Sequence, residues 1–449
     1  MTAVIDRIAQ SLQALESLLS ACTRCGACQA VCPVFSRTGR EADVARGKLA
    51  LLDALAARLF ETPDGVMERL ERCLLCGTCA ARCPAGVQLM EIFALARFII
   101  KDVTGLSALQ RVALRMILAA PKRFNRLLGV AARVQDFAGG ERCGETTAIP
   151  VGPSRIRDRH FVPLAPVPFR EMINTCDLRQ AKKAGAFQPV VIFFTGCLLD
   201  KFFPHVARAA VATLTEAGVR LILPADQGCC GMPAVSMGDS KTLVHLLHHH
   251  VNMLSAQPFD YLVTACATCA AMIKTLWPRL SKTVATNLTA DLTDIAKKTM
   301  EISQFLSQIG GISSKTPPAG SADITVTYHD PCHLKNAMGV TREPRQLIRA
   351  NPRYHLVEME GAGSCCGMGG TFNWRHYGLS SEIGEKKRDR ILATGASVVA
   401  TSCPACMMQL SDMLAKTMPR VKVKHVIELY SADCSSVFSC QPMDNRSIM

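Results

Sequence analysis

The chain has 449 residues, of which 49% are hydrophobic and 20% charged, and its formal net charge is +14. This length predicts two or three domains, and the composition is that of a globular protein. Only 5% of the residues are aromatic. The sequence also has no long basic run, so it lacks the charged stripe and stacking surface of a nucleic-acid-binding protein. The basic charge fits an anionic membrane face or an acidic partner protein better.

The first residues, MTAVIDRIAQSLQALESLL, mix apolar, acidic and basic side chains, and we therefore expect no signal peptide. The most apolar stretches, 89–100 and 112–120, are too short to span a membrane and carry charged residues. We expect a reducing, cytoplasmic location, with peripheral membrane contact at most. The 22 cysteines would then be available for metal rather than for disulfides.

Two cysteine runs in the first hundred residues have the spacing Cys-x2-Cys-x2-Cys-x3-Cys-Pro. They are Cys22, Cys25, Cys28 and Cys32, and then Cys73, Cys76, Cys79 and Cys83. In such runs the first three thiolates bind one 4Fe–4S cubane and the fourth binds the other. This predicts a first cubane site of Cys22, Cys25, Cys28 and Cys83, and a second cubane site of Cys73, Cys76, Cys79 and Cys32. A zinc knuckle is the alternative, but zinc has no use for two symmetric runs.

Helical periodicity dominates the rest of the N-terminal region. Apolar residues at helical spacing predict helices over 44–59 and 89–100. Gly26 and Gly77 follow the second cysteine of each run, where the backbone must pass close to cluster sulfide. Segment 107–138 alternates apolar and basic residues, and a core-packing helix with a solvated basic face is favoured over a membrane-surface or partner-docking helix. Segment 141–186 is rich in Pro, Gly and Arg and reads as a linker.

After residue 188 the pattern changes to alternating strands and helices, which is typical of an α/β fold with parallel sheets. Strands are predicted over 189–195, 220–224, 261–264, 324–328, 355–359 and 397–401, and helices over 206–217, 342–350 and 407–416. Cysteine groups follow these strands in two series. The first quintet is Cys197, Cys229, Cys230, Cys266 and Cys269, and the second quintet is Cys332, Cys365, Cys366, Cys403 and Cys406.

The two series are copies of one unit. Cys332 lies 135 residues after Cys197, Cys365 lies 136 after Cys229, and Cys403 lies 137 after Cys266. So constant a period indicates duplication. Loops at the carboxyl ends of parallel strands converge, which should bring five thiols together in each copy. Adjacent cysteines suit a distorted, non-cubane cluster better than a regular cube. The alternatives are a thioredoxin-like pair, a labile disulfide or buried structural thiols.

These motifs resemble a known family. The second half is similar to the cysteine-rich CCG domain, present twice. Joined to a two-cluster helical ferredoxin, it resembles the iron–sulfur subunit of glycolate oxidase. It also resembles lactate-utilisation and D-lactate dehydrogenase iron–sulfur subunits, the C subunit of anaerobic glycerol-3-phosphate dehydrogenase and the heterodisulfide reductase D subunit. The segment Arg46-Gly47-Lys48 resembles an Arg-Gly dipeptide of the glycolate and lactate members.

The resemblance implies an α+β multidomain chain. It would have an all-α helical ferredoxin domain over 1–105, a basic helical segment and linker over 106–187, CCG domains over 188–310 and 321–432, and a tail over 433–449. It also implies that each quintet is the ligand set of a non-cubane 4Fe–4S cluster. One or two such clusters are expected besides the two cubanes, and we favour both.

The sequence contains no Gly-x-Gly-x-x-Gly after a first strand and no length for a flavin domain. We therefore expect an FAD-binding oxidase subunit to oxidise the 2-hydroxy acid, glycolate or D-lactate, and this chain to pass the electrons to a quinone or cytochrome acceptor. No catalytic residue is assigned. The alternatives are a catalytic heterodisulfide reductase subunit, an electron carrier like the C subunit of glycerol-3-phosphate dehydrogenase, and a cysteine-rich zinc scaffold.

A few residues outside these motifs also belong to chemically active types. His245, His248, His249 and His250 share one helix, and a solvated or capping face is favoured over a metal site because no cysteine or carboxylate completes the set. His333 follows Cys332 and either donates a hydrogen bond to cluster sulfur or simply packs at the strand end. Cys143, Cys176, Cys434 and Cys440 are interpreted as spare thiols.

Overall fold

A computed structural model describes residues 2–137, 142–143, 146–148, 159–174, 176–178, 188–315, 323–418, 420–431 and 438–440. Much of the predicted linker over 141–186 and most of the tail over 433–449, including Cys434, lie outside the described residues. The domain limits given above remain predictions.

The N-terminal region is helical over the described range 2–104. Its helices are Thr2–Gln13, Glu16–Leu19, Phe35–Thr38, Ala45–Ala56, Asp64–Glu71, Thr78–Ala81 and Leu89–Thr104, with a 3₁₀ turn at Glu41–Asp43. The helix predicted over 44–59 therefore appears as Ala45–Ala56, whose Leu49, Leu52 and Leu55 are buried. Helix Leu89–Thr104 is apolar on nearly every face and lies in the centre of the region.

The basic segment forms helix Ala108–Arg111, a π-helix over Val112–Leu118 and helix Pro121–Phe137. Several of its apolar side chains face solvent: Leu109 is 80% exposed, Leu127 51% and Val130 60%. The favoured interpretation of a core-packing helix is confirmed for Leu114 and Ala132, which are buried. It is wrong for the exposed side chains, because apolar spacing alone does not reveal which neighbours cover a face. Of the helices in the described ranges, none combines the length and apolar character that crossing a bilayer requires.

The first cysteine-rich copy contains a four-stranded parallel sheet. Its strands are β1 (Val190–Phe193), β2 (Arg220–Ile222), β3 (Tyr261–Thr264) and β4 (Thr299–Glu301), in the order β2-β1-β3-β4. The surrounding helices are Gly196–Lys201, Pro204–Glu216, Met232–Met237, Ser240–Leu254, Ala267–Ala271, Trp277–Val284, Thr289–Lys298 and Ile302–Phe305. The π-helices Met272–Leu276 and Leu306–Gly310 and the 3₁₀ turn Thr286–Leu288 complete it.

The second copy repeats this topology. Its strands are β5 (Ile324–His329), β6 (Tyr354–Leu356), β7 (Val398–Thr401) and β8 (Lys422–His425), in the order β6-β5-β7-β8. Its helices are Cys332–Met338, Arg342–Arg349, Phe372–Arg375, Tyr377–Leu392, Pro404–Ala415 and Val426–Tyr430. The duplicated α/β architecture with parallel sheets is thus confirmed.

The fourth strand of each sheet is absent from the sequence prediction. β4 and β8 are three and four residues long, read TME and KVKH, and lie at a sheet edge. Neither contains a continuous apolar run, so nothing in the local pattern distinguishes them from loop. Short antiparallel strands outside the two sheets are Arg142–Cys143, Thr146–Ala148 and His160–Phe161, which pair in sequence, and Cys176–Leu178, which pairs with Phe438–Cys440.

One continuous apolar core runs through the N-terminal region and both copies. The side chain of Arg97, which is only 1% exposed, contacts both the N-terminal region and the first copy. Its guanidinium donates to the carbonyl oxygen of Cys73 at 2.8 Å and to that of Ser236 in the first copy at 3.1 Å. A buried guanidinium is tolerated only when it is hydrogen-bonded, so this residue fixes the helical region to the first copy.

Candidate iron–sulfur sites

The eight N-terminal cysteines surround two neighbouring cavities. One cavity is lined by Cys22, Cys25, Cys28 and Cys83, and the other by Cys32, Cys73, Cys76 and Cys79. The fourth cysteine of each run thus lies at the cavity formed by the other run, as the spacing predicts. Cys79 also lines the first cavity, so the two sites share a wall. All eight are free thiols.

Local backbone geometry shapes these cavities. Gly77 has a φ of +73°, and a Cβ atom there would lie 2.8 Å from Met90 Sδ. Only glycine adopts this conformation without strain. Such a bend lets the loop from Cys73 to Cys79 wrap around a compact object.

Lys48 is a buried cation beside the second cubane site. It is 2% exposed, lines the cavity with Cys73 and donates to the Asp43 carbonyl oxygen. Burial lowers its pKa, although Cys73 and Cys32 oppose that shift. A cubane with four thiolates carries a net negative charge, and a cation here would offset it. Gly47 beside it is obligatory, because a Cβ atom there would clash with the Glu41 carbonyl oxygen.

The first quintet forms one contact network at the carboxyl end of its sheet. Cys197 Sγ lies 3.8 Å from Cys229 Sγ. Hydrogen bonds from Cys229 and Cys269 lower the pKa of Cys230 to about 5, and Cys269 in turn contacts Cys266. Thiols that stabilise a neighbouring thiolate are primed to release protons to a metal.

The second quintet is packed in the same way. Cys366 Sγ lies 3.5 Å from Cys406 Sγ, and Cys332 contacts Cys365. Hydrogen bonds from Cys365 and Cys406 hold the pKa of Cys366 well below its usual value. Hydrogen bonds from Cys266 and Cys406 do the same for the pKa of Cys403. Donors, burial and free thiols in both quintets fit an iron–sulfur cluster, while the identity of each ligand remains a prediction.

The four thiol groups touch one another in a fixed order. Cys76 of the second cubane site contacts Cys365 of the second quintet, an interaction that raises the pKa of Cys76. Cys403 of the second quintet contacts Cys266 of the first. The second quintet therefore lies between the ferredoxin-like region and the first quintet. Sequence spacing gives no indication of this order, which depends on how the domains pack.

Two polar side chains reinforce the junctions. His333 bonds through Nε2 to the Leu75 carbonyl oxygen at 2.9 Å and through Nδ1 to Thr268 Oγ1 at 3.1 Å. Thr268 Oγ1 lies 3.3 Å from Cys403 Sγ. His333 thus neither donates directly to a cysteine sulfur nor merely packs at a strand end: it links the N-terminal region to both copies.

The four histidines on helix Ser240–Leu254 differ in burial. His245 is exposed and His248 and His249 are half-buried, which fits the favoured solvated face for these three. His250 is fully buried, and its Nε2 accepts from the Gly228 backbone at 3.3 Å, which corrects the prediction of a solvated side chain. Burial lowers the pKa of His250 to about 3. Its ring packs against Phe194 and Trp277, the latter at a centroid distance of 5.3 Å.

Comparison with known proteins agrees with this arrangement. The family model described as a 4Fe-4S dicluster domain matches residues 18–87, and the CCG cysteine-rich domain model matches residues 191–274 and 326–411. These matches cover both cysteine runs and both quintets.

Two relatives match this chain over nearly its whole length. The chain is similar to the probable glycolate oxidase iron-sulfur subunit of Bacillus subtilis, with 28% identity over 88% of this chain and 89% of that protein. It is 26% identical to the D subunit of the dihydromethanophenazine:CoB–CoM heterodisulfide reductase of Methanosarcina acetivorans, over 92% of this chain and 93% of that one. Lactate utilization protein A 1 of Bacillus mycoides is 28% identical over 54% of this chain and 97% of its own length.

Proposed function

Because this chain belongs to the CCG-domain iron–sulfur oxidoreductases, the family of the glycolate oxidase iron–sulfur subunits, we propose that it is the electron-transfer subunit of a 2-hydroxy acid dehydrogenase or oxidase complex. The substrate of the complex would be glycolate or D-lactate, which a partner subunit that binds FAD would oxidise. The electrons would pass through this chain towards a quinone or a cytochrome acceptor.

The observation that carries this proposal is the continuous series of thiol groups. The two cubane sites share the wall at Cys79, Cys76 contacts Cys365, and Cys403 contacts Cys266. Bound iron–sulfur clusters would supply one-electron carriers at these four places. The protein residues hold the places side by side in a largely buried interior, so that an electron need not cross solvent.

Exposure suggests where electrons enter or leave. Cys25 is exposed, whereas Cys229, Cys230, Cys266 and Cys269 of the first quintet are buried. A redox partner could therefore approach the first cubane site directly. Arg24 and Arg46 lie beside this site, and basic side chains there favour an acidic partner surface.

The basic segment supports peripheral contact with the cytoplasmic face of a membrane. Leu109, Val112, Leu127 and Val130 are exposed, and the same helices carry Arg111, Arg123 and Arg126. Exposed apolar residues combined with arginines suit an anionic lipid surface, which binds both. Such contact would bring the chain close to a membrane-dissolved quinone.

Iron and sulfide quantitation on the anaerobically purified chain tests the proposal. About sixteen irons per chain are expected if all four sites are loaded, and about eight if only the cubanes are present. Glycolate or D-lactate, added together with an FAD-binding 2-hydroxy acid oxidase subunit, should then bleach the cluster absorbance. Zinc without iron would contradict the proposal, and so would loaded clusters that no hydroxy-acid-oxidising flavoprotein can reduce.

A second candidate is a catalytic subunit of the heterodisulfide reductase type. The similarity to the D subunit of that enzyme covers nearly the whole of both chains, and the quintets meet through Cys266 and Cys403, so a disulfide could react there. A reduced, loaded chain that cleaves a disulfide substrate with stoichiometric thiol release would favour this candidate. Purification with a membrane cytochrome b, in place of a flavoprotein, would point the same way.

A further inference from the structure

An unexplained histidine lies inside the second quintet. His329 is the last residue of β5 and is fully buried. One of its ring nitrogens and the sulfur atoms of Cys366 and Cys406 all lie within 4.8 Å of one another. That spacing is short enough for all three to bind one iron or two neighbouring irons of a cluster.

The imidazole has no other role in the described structure. Neither Nδ1 nor Nε2 makes a hydrogen bond of ordinary geometry. A buried polar group without a partner is costly, and such groups call for an explanation. The backbone of Ala362 lies close enough to affect the ring, and a backbone carbonyl is a common partner for the N–H of a metal-bound histidine. Because both ring nitrogens lack an ordinary hydrogen bond, one of them is available to a metal.

Two neighbouring polar side chains, His333 and Lys387, are engaged elsewhere. Both nitrogens of His333 have partners, Leu75 and Thr268. Lys387 Nζ donates to the carbonyl oxygens of Gly361 and Ala362, at 2.7 and 3.0 Å. His329 is therefore the nitrogen donor that remains available to the second quintet among these side chains.

The first quintet has no such donor at the matching position. The 135-residue offset that aligns Cys332 with Cys197 aligns His329 with Phe194. The Phe194 ring lies against Gly196 and packs on His250 at a centroid distance of 5.4 Å. The duplicated unit thus offers sulfur alone in one copy and sulfur plus nitrogen in the other.

We propose that His329 is a sixth protein ligand at the second quintet, where an imidazole nitrogen binds iron of the cluster. The first quintet is then a thiolate-only site. This inference rests on the proposed function, because it requires the second quintet to be loaded. It makes the two cysteine-rich copies chemically distinct in spite of their common origin.

Pulsed EPR on the reduced, full-length chain with ¹⁵N-labelled histidine tests this directly. We expect a nitrogen hyperfine coupling of the strength typical of iron-bound imidazole. It should disappear in His329→Phe, which reproduces the first copy, and persist in the control His333→Gln. A coupling no stronger than that of a hydrogen-bonded N–H, or one that survives in His329→Phe, would overturn the proposal.

Two further measurements distinguish failure of the histidine ligand from failure of the proposed function. About sixteen irons without a strong nitrogen coupling would overturn the histidine ligand but leave the proposed function intact. Iron absent from the second quintet of the wild-type chain would overturn both. If His329→Phe fails to retain its cluster, His329→Ala is reconstituted with ¹⁵N-imidazole in the buffer. Recovery of the coupling supports the proposal, and reloaded iron without coupling contradicts it.

Discussion

The two cysteine-rich copies share a strand order and a pattern of five cysteines, yet their surroundings differ. The second copy places Cys332 and Cys365 against Val34, Leu74 and Cys76 of the helical region, in a small apolar cluster of its own. The first copy has its quintet among Phe194, His250 and Trp277, whose indole N–H donates to the Cys230 carbonyl oxygen at 2.9 Å. Duplication therefore preserved the thiol framework, while packing gave one copy a central position and the other a terminal one.

The largest difference between the copies should appear when one cluster is removed from each. Cys365→Ser and Cys229→Ser should each lower the iron content by about four atoms per chain. Only Cys365→Ser should abolish magnetic coupling between the cluster of the second cubane site and that of the second quintet, because the second quintet adjoins Cys76. EPR of the reduced variants measures this. Equal loss of coupling in both variants would disprove the central position of the second copy.

Gly231 and Gly367 follow the adjacent cysteines of the first and second quintet, and substitution should destabilise the chain more at Gly367 than at Gly231. At Gly367 the φ is +98° and a Cβ atom would lie 2.6 Å from the Ser380 carbonyl oxygen, whereas at Gly231 it would meet the flexible end of Leu243 at 2.7 Å. We expect Gly367→Ala to cost about 3 kcal/mol and Gly231→Ala about 1–2 kcal/mol. Thermal unfolding of the loaded chain measures both.

Gly378 provides the control for this pair. It lies in helix Tyr377–Leu392, and a Cβ atom there would meet nothing within 4 Å. Gly378→Ala should be neutral or stabilising by about 0.5 kcal/mol. If Gly231→Ala proved the more damaging of the paired variants, the backbone contact at Ser380 would not be the controlling factor.

The edge strands should respond to pH in opposite directions. Glu301 ends β4 and His425 ends β8, and both are buried caps of the following helix. Burial raises the pKa of Glu301 to about 7 from an ordinary 4.5, so its contribution to stability is lost as the pH rises through that window. Burial lowers the pKa of His425 to about 4 from 6.5, so its contribution is lost as the pH falls.

Single substitutions should reveal these opposed effects. Glu301→Gln should stabilise the chain at pH 7.5 by an amount on the order of 2 kcal/mol and have little effect at pH 4.5. His425→Asn keeps a capping side chain. Its stability should rise relative to that of the wild-type chain as the pH falls below 6. Unfolding midpoints measured from pH 4.5 to 8 test both, and parallel pH profiles would contradict the assignment.

The smallest effect is expected where helix Ala267–Ala271 of the first copy meets the second quintet. Thr268 of the first copy reaches Cys403 of the second, but Ala405 stands at the matching place and cannot reach back. Thr268→Ala should cost about 1 kcal/mol and change the midpoint potential of the second quintet, because a hydroxyl that contacts both the Cys403 sulfur and His333 is lost. Ala405→Thr is the control. An unchanged potential in Thr268→Ala would show that this hydroxyl does not influence the cluster.

The sequence predicted the parts that depend on short-range pattern. The cysteine runs, the 135–137-residue period, the helical N-terminal region and six of the eight strands in the two parallel sheets follow from spacing and apolar runs. The two edge strands, β4 and β8, were missed because their residues carry no such run. His329 was missed as well. An alignment of the two copies could have found it, because Phe194 stands at the matching position of the first copy.

Thiol spacing by itself determined the chemistry of this protein, because a cluster needs sulfur donors at fixed intervals along flexible loops. Tertiary structure alone decided the order of the four sites and the charged side chains beside them. Cys76 and Cys365 are 289 positions apart in sequence yet in contact. Arg97 and Lys48 become buried partners of cysteine loops only after helices and sheets have packed. Such contacts depend on the complementarity of whole surfaces, which no local pattern encodes.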